Sequence, residues 1–286
     1  MPVSLRLVRA GFAVGSRLAP RLAGRAAEQL FFRPPRFEPP AREADWLASA
    51  ERRRVTVGRN QVAVYTWGHG RPVALVHGWA GRAGQMGALA TTLADAGMQA
   101  IAFDAPAHGD SSGRRSNAIQ FIDALWRVTA DVGPLAGVVG HSMGSAVSAV
   151  AVAEGLVAER VVLISSPTLL KRIVASFAET IGITPEVEQI MRQRLQSRVG
   201  PEIWRRYSPL HVAPHIDAPT LVVHDVEDDE IPLSEARTLA DAFPEARLLC
   251  TAGLGHTRIL RDPKVVTAVA TFLSNTNSNH EEKSHA

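Results

Sequence analysis

From about residue 52 onward, short apolar segments alternate with longer amphipathic ones. The segments PVALV, QAIAF, LAGVV, RVVLI and PTLVV contain almost no polar residue, which is typical of strands that are buried on both faces of a sheet. The segments between them have the periodicity of helices, for example 116–132, 143–154, 233–243 and 263–273. This alternation predicts an α/β fold with a mostly parallel sheet and helices on both faces.

One stretch interrupts the alternation. Between Pro167 and Pro219 there is no strand-like segment, and the helix-like segments there are 168–181, 185–198 and 201–207. We therefore predict a helical lid at about 168–213 within a catalytic domain that spans 52–274. The larger apolar residues of this lid either line a pocket or form its own packing face; they are Ile173, Phe177, Ile181, Met191 and Trp204.

The first 51 residues follow neither pattern. Residues 1–31 combine apolar side chains with arginines, and the prolines of FFRPPRFEPP then predict an extended connector. Three interpretations of this basic arm stay open: a helix packed on the domain, an amphipathic helix in peripheral contact with a membrane, or an Arg-rich targeting peptide. The polar tail, 275–286, lacks a core pattern, and we predict that it is disordered.

Charge and cysteine content limit the functional classes. The formal net charge is +3, and the five arginines of residues 1–27 leave the remainder slightly acidic, so we expect no nucleic-acid partner. The one cysteine, Cys250, excludes an intramolecular disulfide and fits a reducing, cytoplasmic location. Because it lies in the apolar segment ARLLCTAG, we predict that it is buried in the core. No motif indicates a metal, a nucleotide or another cofactor.

The strongest chemical signal is the pentapeptide GHSMG, Gly140 to Gly144. It follows the apolar segment LAGVV and opens a helical segment, and its small residues allow a sharp turn that exposes the serine. A helix N-terminus also favours developing negative charge. We predict that Ser142 is a nucleophile.

This pentapeptide resembles the nucleophile elbow of the α/β-hydrolase family, and the resemblance covers residues from about 52 to 274. His77 to Trp79, after the segment PVALV, resembles the oxyanion-hole loop of that family. The resemblance implies that the backbone N–H groups of Trp79 and Met143 hold the oxyanion. Because His141 adjoins Ser142, we expect its side chain to line the substrate pocket, and we predict substrate contact for Trp79 as well. The stretch DAPAHGDS resembles a family loop whose role is architectural, with Asp104 and His108 organising it.

The family order of the triad, serine, then acid, then histidine, places the other two residues late in the chain. The segment 224–232 resembles the loop that carries the acid, although Asp225 replaces the usual glycine. Its register against the final Ile-Pro selects Asp228, with Asp229 as the alternative. His256 lies in the glycine-containing segment GLGHT after the last apolar segment, and it resembles the catalytic histidine.

The resemblance implies a serine hydrolase that cleaves an acyl bond through an acyl-enzyme, with carboxylic esters as the expected substrates. Thioesters, amides and some carbon–carbon bonds are also cleaved by family members with a serine. Two alternatives stay open: a binding protein of the same fold without turnover, and a lipid hydrolase that the basic arm recruits to a membrane surface. The sequence predicts no oligomeric state.

Overall fold

The computed structural model describes residues 3–275, and the predicted disordered tail lies, apart from Asn275, outside the described residues. Within the described part, eight strands form one sheet. The strands are β1 (Glu51–Val57), β2 (Asn60–Trp67), β3 (Arg71–Val76), β4 (Met98–Phe103), β5 (Gly137–His141), β6 (Val161–Ile164), β7 (Thr220–Asp225) and β8 (Ala246–Thr251). Their order is β1-β2-β4-β3-β5-β6-β7-β8. The pairs β1–β2 and β2–β4 are antiparallel, and the remaining pairs are parallel.

Helices connect the strands and also precede the sheet. They are α1 (Val3–Leu18), α2 (Pro20–Phe31), α3 (Ala41–Ala48), α4 (Gly87–Asp95), α5 (Ala118–Thr129), α6 (Met143–Ala153), α7 (Leu170–Ile181), α8 (Pro185–Val199), α9 (Ile203–Arg206), α10 (Pro209–Val212), α11 (Leu233–Ala242), α12 (Gly255–Arg258) and α13 (Pro263–Ser274). None of the described helices is long and apolar enough to span a membrane.

The sheet is covered on both faces, which confirms the predicted fold class. Alternate residues of each central strand contribute to two separate apolar clusters, as Val138 and Val139 of β5 illustrate. Helices α5, α6 and α11 pack on one face, while α4 and α13 pack on the other. Strands that are buried on both faces need apolar residues at consecutive positions, and this explains the unbroken apolar segments of the sequence.

Between β6 and β7 the chain forms α7 to α10, which we call the insertion. Met191 and Ile181 are buried in the cluster that includes the α5 and α6 side. Trp204, Ile173 and Phe177 are only partly buried. The insertion therefore packs on the domain through some of its large apolar residues, while Ile173 and Phe177 line the cavity described below.

The first two helices, α1 and α2, pack on the insertion. The carboxylate of Glu28 is 1% exposed and accepts hydrogen bonds from Arg194, at 2.6 Å, and from Arg198, both of α8. Gly24 lies so close to Ile190 of α8 that a β-carbon there would overlap the isoleucine side chain. After α2, residues 33–40 have no regular secondary structure.

Strand β8 differs from its prediction at Cys250. This residue is exposed, so the expectation of a buried core cysteine is wrong. The reason is the position of β8 at one end of the sheet, where it has a neighbouring strand on one side only, and its residues are exposed or intermediate. An apolar segment in the sequence does not distinguish an edge strand from a central one.

Candidate active site

The turn between β5 and α6 carries Ser142 in a strained conformation. Its φ is 52° and its ψ is −120°, a region that side-chain-bearing residues rarely adopt. The turn is possible because of its glycines: a β-carbon on Gly140 would overlap the backbone of Gly144, and one on Gly144 would overlap the carbonyl of Val76. The helix therefore starts immediately against β3 and β5, and the serine projects from the sheet edge.

Two backbone amides lie next to this serine. Gly78 is so close that a β-carbon on it would lie 3.0 Å from Cβ of Ser142, which places the following residue, Trp79, beside the nucleophile. Met143 is the first residue of α6, where a helix leaves its N–H groups without an intrahelical acceptor. Among the described residues, neither the amide of Trp79 nor that of Met143 has a hydrogen-bond acceptor. Both are available for an oxyanion.

The loops after β7 and β8 bring Asp228 and His256 together. The distance between Oδ2 of Asp228 and Nδ1 of His256 is 2.8 Å. The other carboxylate oxygen of Asp228 accepts the backbone N–H groups of Glu230 and Ile231, each at 3.0 Å. Asp229, the alternative acid, does not contact His256 and instead lines the cavity described below.

The electrostatics of this pair favour an ion pair. Burial raises the pKa of Asp228, but the hydrogen bonds from His256, Ile231 and Glu230 outweigh it and lower the pKa to about 2. Burial lowers the pKa of His256, but the hydrogen bond with Asp228 and the charge of Glu230 outweigh burial, so that the pKa is raised. Asp228 is therefore ionised at neutral pH and stabilises a protonated His256.

Glu230 is a neighbour of the histidine that the sequence did not single out. Its Oε2 lies 3.6 Å from Nε2 of His256, and its side chain is 63% exposed at the edge of the cavity. In the described part of the chain, the hydroxyl of Ser142 makes no hydrogen bond. Ser142 and His256 are therefore not joined by a direct hydrogen bond, and of the two only Ser142 lines the cavity.

Asp225, the residue that departs from the family pattern, connects the two loops. One oxygen accepts the N–H of Glu227 at 3.0 Å, and the other accepts the hydroxyl of Thr251 at 2.7 Å and the N–H of Leu254 at 3.1 Å. Its carboxylate thus joins the loop of Asp228 to the loop of His256. The sequence signal for this role was an acid at a position where the family usually has glycine. The role itself could not be predicted, because it depends on the loops after β7 and β8 lying next to each other.

His141 is placed differently from its prediction. We expected its side chain to line the substrate pocket, but the ring is buried, its Nε2 lies 2.8 Å from the carbonyl oxygen of His256, and it does not border the cavity. Burial lowers the pKa of His141 to about 3, so the ring is neutral. His141 is the last residue of β5, and its ring contacts the backbone of the loop that carries His256.

The stretch 104–111 forms a buried loop beside the same edge. Asp104 accepts the N–H groups of Ala83, at 2.7 Å, and Asp110, at 2.8 Å, and burial raises its pKa to about 6. His108 is also buried, and burial lowers its pKa to about 4. Both side chains hold neighbouring loops in place.

A cavity of about 790 Å³ opens at Ser142 and Trp79. Its walls come from the end of α2, from α5 and α6, and from the insertion, and they are mainly apolar. The apolar lining includes Phe31, Phe32, Ile119, Ile122, Met143, Val147, Val150, Leu170, Ile173, Phe177, Leu195 and Ile203. Asp229 and Glu230 lie on its acidic side near the histidine. Among the described residues, no group of His, Cys, Asp or Glu is arranged to hold a metal ion.

Comparisons with known proteins agree with this architecture. Residues 71–186 match the family model described as the alpha/beta hydrolase fold, and residues 203–285 match the model described as TAP-like protein. No curated protein matches the chain in sequence.

Similar folds occur among solved structures. A bacterial membrane phospholipase A is similar with a TM-score of 0.62 at 16% identity, over 95% of this chain and 96% of that chain. A bromoperoxidase from Bacillus anthracis has a TM-score of 0.61 at 16% identity, over 79% and 100%. The thioesterase domain from the curacin biosynthetic pathway has a TM-score of 0.60 at 18% identity, over 79% and 99%. With its family-model matches, sheet order and nucleophile turn, the chain belongs to the α/β-hydrolase fold family.

Proposed function

We propose that the protein is a serine hydrolase that cleaves carboxylic esters of apolar acyl groups, with Ser142 as nucleophile, His256 as base and Asp228 as the acid. The observation that carries the proposal is the hydrogen bond of 2.8 Å between Asp228 and His256, at the edge of the sheet where the strained Ser142 borders an apolar cavity. This pairing suits a histidine that takes a proton from a serine, because the carboxylate selects the tautomer and stabilises the imidazolium.

In the proposed reaction, Oγ of Ser142 attacks the ester carbonyl carbon while Nε2 of His256 takes the hydroxyl proton. The negative charge moves to the carbonyl oxygen, which the N–H groups of Trp79 and Met143 stabilise. The bond from the acyl carbon to the alcohol oxygen then breaks, and His256 returns its proton to that oxygen. Water, deprotonated by His256, attacks the acyl-enzyme, and the carboxylic acid leaves as Ser142 regains its proton.

The cavity supports an apolar acyl group. Its volume of about 790 Å³ lies in the range of pockets that hold small organic ligands. Because each buried methylene contributes about 0.8 kcal/mol, we expect kcat/KM to rise by up to about fourfold per added methylene until the chain fills the cavity. A series of p-nitrophenyl esters measures this. The names of a phospholipase A and a thioesterase among the similar structures support an acyl substrate without choosing between an oxygen ester and a thioester.

A fluorophosphonate probe tests the nucleophile directly, since it labels only an activated serine. We expect labelling of the wild type and of Ser176→Ala, a control in which an exposed serine of the cavity wall is removed. Labelling should disappear in Ser142→Ala and fall strongly in His256→Ala, with circular dichroism confirming that both remain folded. A folded wild type that is not labelled would favour a binding protein without turnover.

A further inference from the structure

Helix α1 has apolar residues on two different sides, about 120° apart around the helix axis. Val8 and Phe12 face the protein and pack against its core cluster. Leu7, Val14 and Leu18 face away, and their exposed fractions are 70%, 58% and 80%. Spacings of seven and four residues place these three side chains on one side of the helix. The protein therefore covers one apolar side of α1 and leaves the other open.

In α2, four residues after Leu18, Leu22 is also exposed, at 68%. We call Leu7, Val14, Leu18 and Leu22 the outer row. Single exposed aliphatic residues are common on protein surfaces, but a contiguous row marks an interaction surface. Within residues 52–274 of the described chain, the exposed large apolar residues do not form a comparable helical row. These residues are Trp126, Val157, Val199 and Val226.

Arginines border the outer row. Arg6, Arg17, Arg21 and Arg25 are exposed, and among the described residues none of them has a hydrogen bond or an ion pair. Residues 1–27 contain no acid. The first acid, Glu28, is buried and already bound by two arginines of α8, so it does not neutralise this surface.

An apolar row bordered by unpaired arginines fits one kind of partner. A second copy of the chain would cover the leucines but would bring two sets of arginines together, whereas an anionic bilayer offers both acyl chains and phosphates. We propose that α1 and the start of α2 lie on the surface of an anionic bilayer, with the outer row among the acyl chains and the arginines at the phosphates. Helix α1 lies along the surface because its other side is packed on the protein.

The bilayer-facing helices also form part of the cavity. Arg9 of α1 donates to the carbonyls of Glu179 and Thr180 at the end of α7, at 2.7 and 2.9 Å. The ring of Phe31 at the end of α2 lies 5.1 Å from that of Phe177 in α7, and both rings line the cavity. If the proposed hydrolase function holds, bilayer binding brings the acyl cavity next to lipid esters; the binding itself does not depend on that function.

Vesicle sedimentation of the full chain tests the docking surface. We expect binding to vesicles that mix phosphatidylglycerol with phosphatidylcholine, weak binding to phosphatidylcholine alone, and release at high salt. The triple variant Arg6→Gln, Arg17→Gln and Arg21→Gln should weaken partitioning about 100-fold, since each arginine near an anionic surface contributes a factor of about five. The triple variant Leu7→Gln, Val14→Gln and Leu18→Gln should weaken it by a similar factor of about 100.

Two matched controls have the same kinds of change elsewhere. The variant Arg59→Gln, Arg114→Gln and Arg237→Gln removes the same charge from exposed sites outside the arm, and Val157→Gln removes an exposed aliphatic residue. Both should sediment like the wild type. Hydrolysis of a soluble short-chain ester should be unchanged in all four variants, so that loss of docking is separate from loss of the proposed hydrolase function.

Some results would overturn the proposal. Equal sedimentation of wild type and both arm variants would exclude the arm as the docking surface, and equal binding to neutral vesicles would exclude the charge argument. A wild type that stays in the supernatant and forms a dimer by light scattering, which the leucine variant converts to a monomer, would assign the outer row to a second copy of the chain.

Discussion

Two regions border the cavity, and they are held in different ways. At the edge of the sheet, the turn after β5 fixes Ser142, and hydrogen bonds from backbone groups of its own loop fix Asp228. On the other side, the arm and the insertion are joined by contacts between distant segments, such as Glu28 with Arg194. The turn of Ser142 and the loop of Asp228 therefore depend on local geometry, whereas the position of His256 beside Asp228 and the shape of the cavity depend on contacts between distant segments.

The largest expected effect comes from a substitution at the sheet edge. In Ser142→Ala, we expect ester hydrolysis to fall about 10⁶-fold, because removing the nucleophile of a triad leaves only the oxyanion hole and binding. Stability should stay close to that of the wild type, since the change removes one partly buried hydroxyl without a hydrogen bond. Steady-state kinetics and thermal unfolding measure both. Ser176→Ala is the control. If Ser142→Ala kept an ester hydrolysis rate close to that of the wild type, the nucleophile would be a different residue.

The next effect concerns the acid. Asp228→Asn should lower kcat about 10⁴-fold, because an amide no longer selects the productive tautomer of His256. Asp229→Asn is the matched variant at the adjacent position, and it should retain most of the activity because Asp229 makes no hydrogen bond with the histidine and acts on it only through its charge. The reverse order of the two effects would make Asp229 the acid.

The third effect concerns the contacts between the arm and the insertion. Glu28→Gln leaves Arg194 and Arg198 without their charge partner, and we expect a loss of about 1–2 kcal/mol in the free energy of unfolding, reduced by the partial exposure of the arginines. Denaturant unfolding measures it. Glu154→Gln breaks the more exposed pair with Arg206 and should cost about 0–1 kcal/mol. Short-ester hydrolysis should survive in Glu28→Gln, and an equal loss of all ester activities would contradict the separation of the two regions.

The smallest expected effect concerns the pKa of His256. The charge of Glu230 helps to raise the pKa of His256, and the histidine must be neutral to accept a proton. Wild-type kcat/KM should therefore fall as the pH drops through a value above the ordinary histidine pKa. In Glu230→Gln this acid limb should move to lower pH, because the protonated histidine loses a stabilising charge. A pH–rate profile measures the shift, with Glu227→Gln of the same loop as the control; an unmoved limb would remove Glu230 from this role.

The sequence predicted the parts of the site that depend on short segments. The apolar segments and GHSMG are local, so they indicated the parallel sheet and the turn at Ser142 without any tertiary information. The register of the loop after PTLVV selected Asp228 over Asp229, and the structure pairs Asp228 with His256. The direction of a side chain at the end of a strand was harder to predict from the sequence. His141 contacts the backbone of His256 and does not line the cavity.

By itself, the sequence determined the fold class and the turn at Ser142, because hydrophobic periodicity and glycine-dependent turns act over a few residues. The chain positions of Asp228 and His256 were implied by the resemblance to the family. Only the tertiary structure decided which side of α1 stays exposed, that Cys250 lies on an edge strand, and that Asp225 and Glu230 surround the histidine. These features arise from neighbours that are distant in the chain. Burial and charge pairing depend on which segments meet in space, and no local pattern specifies that.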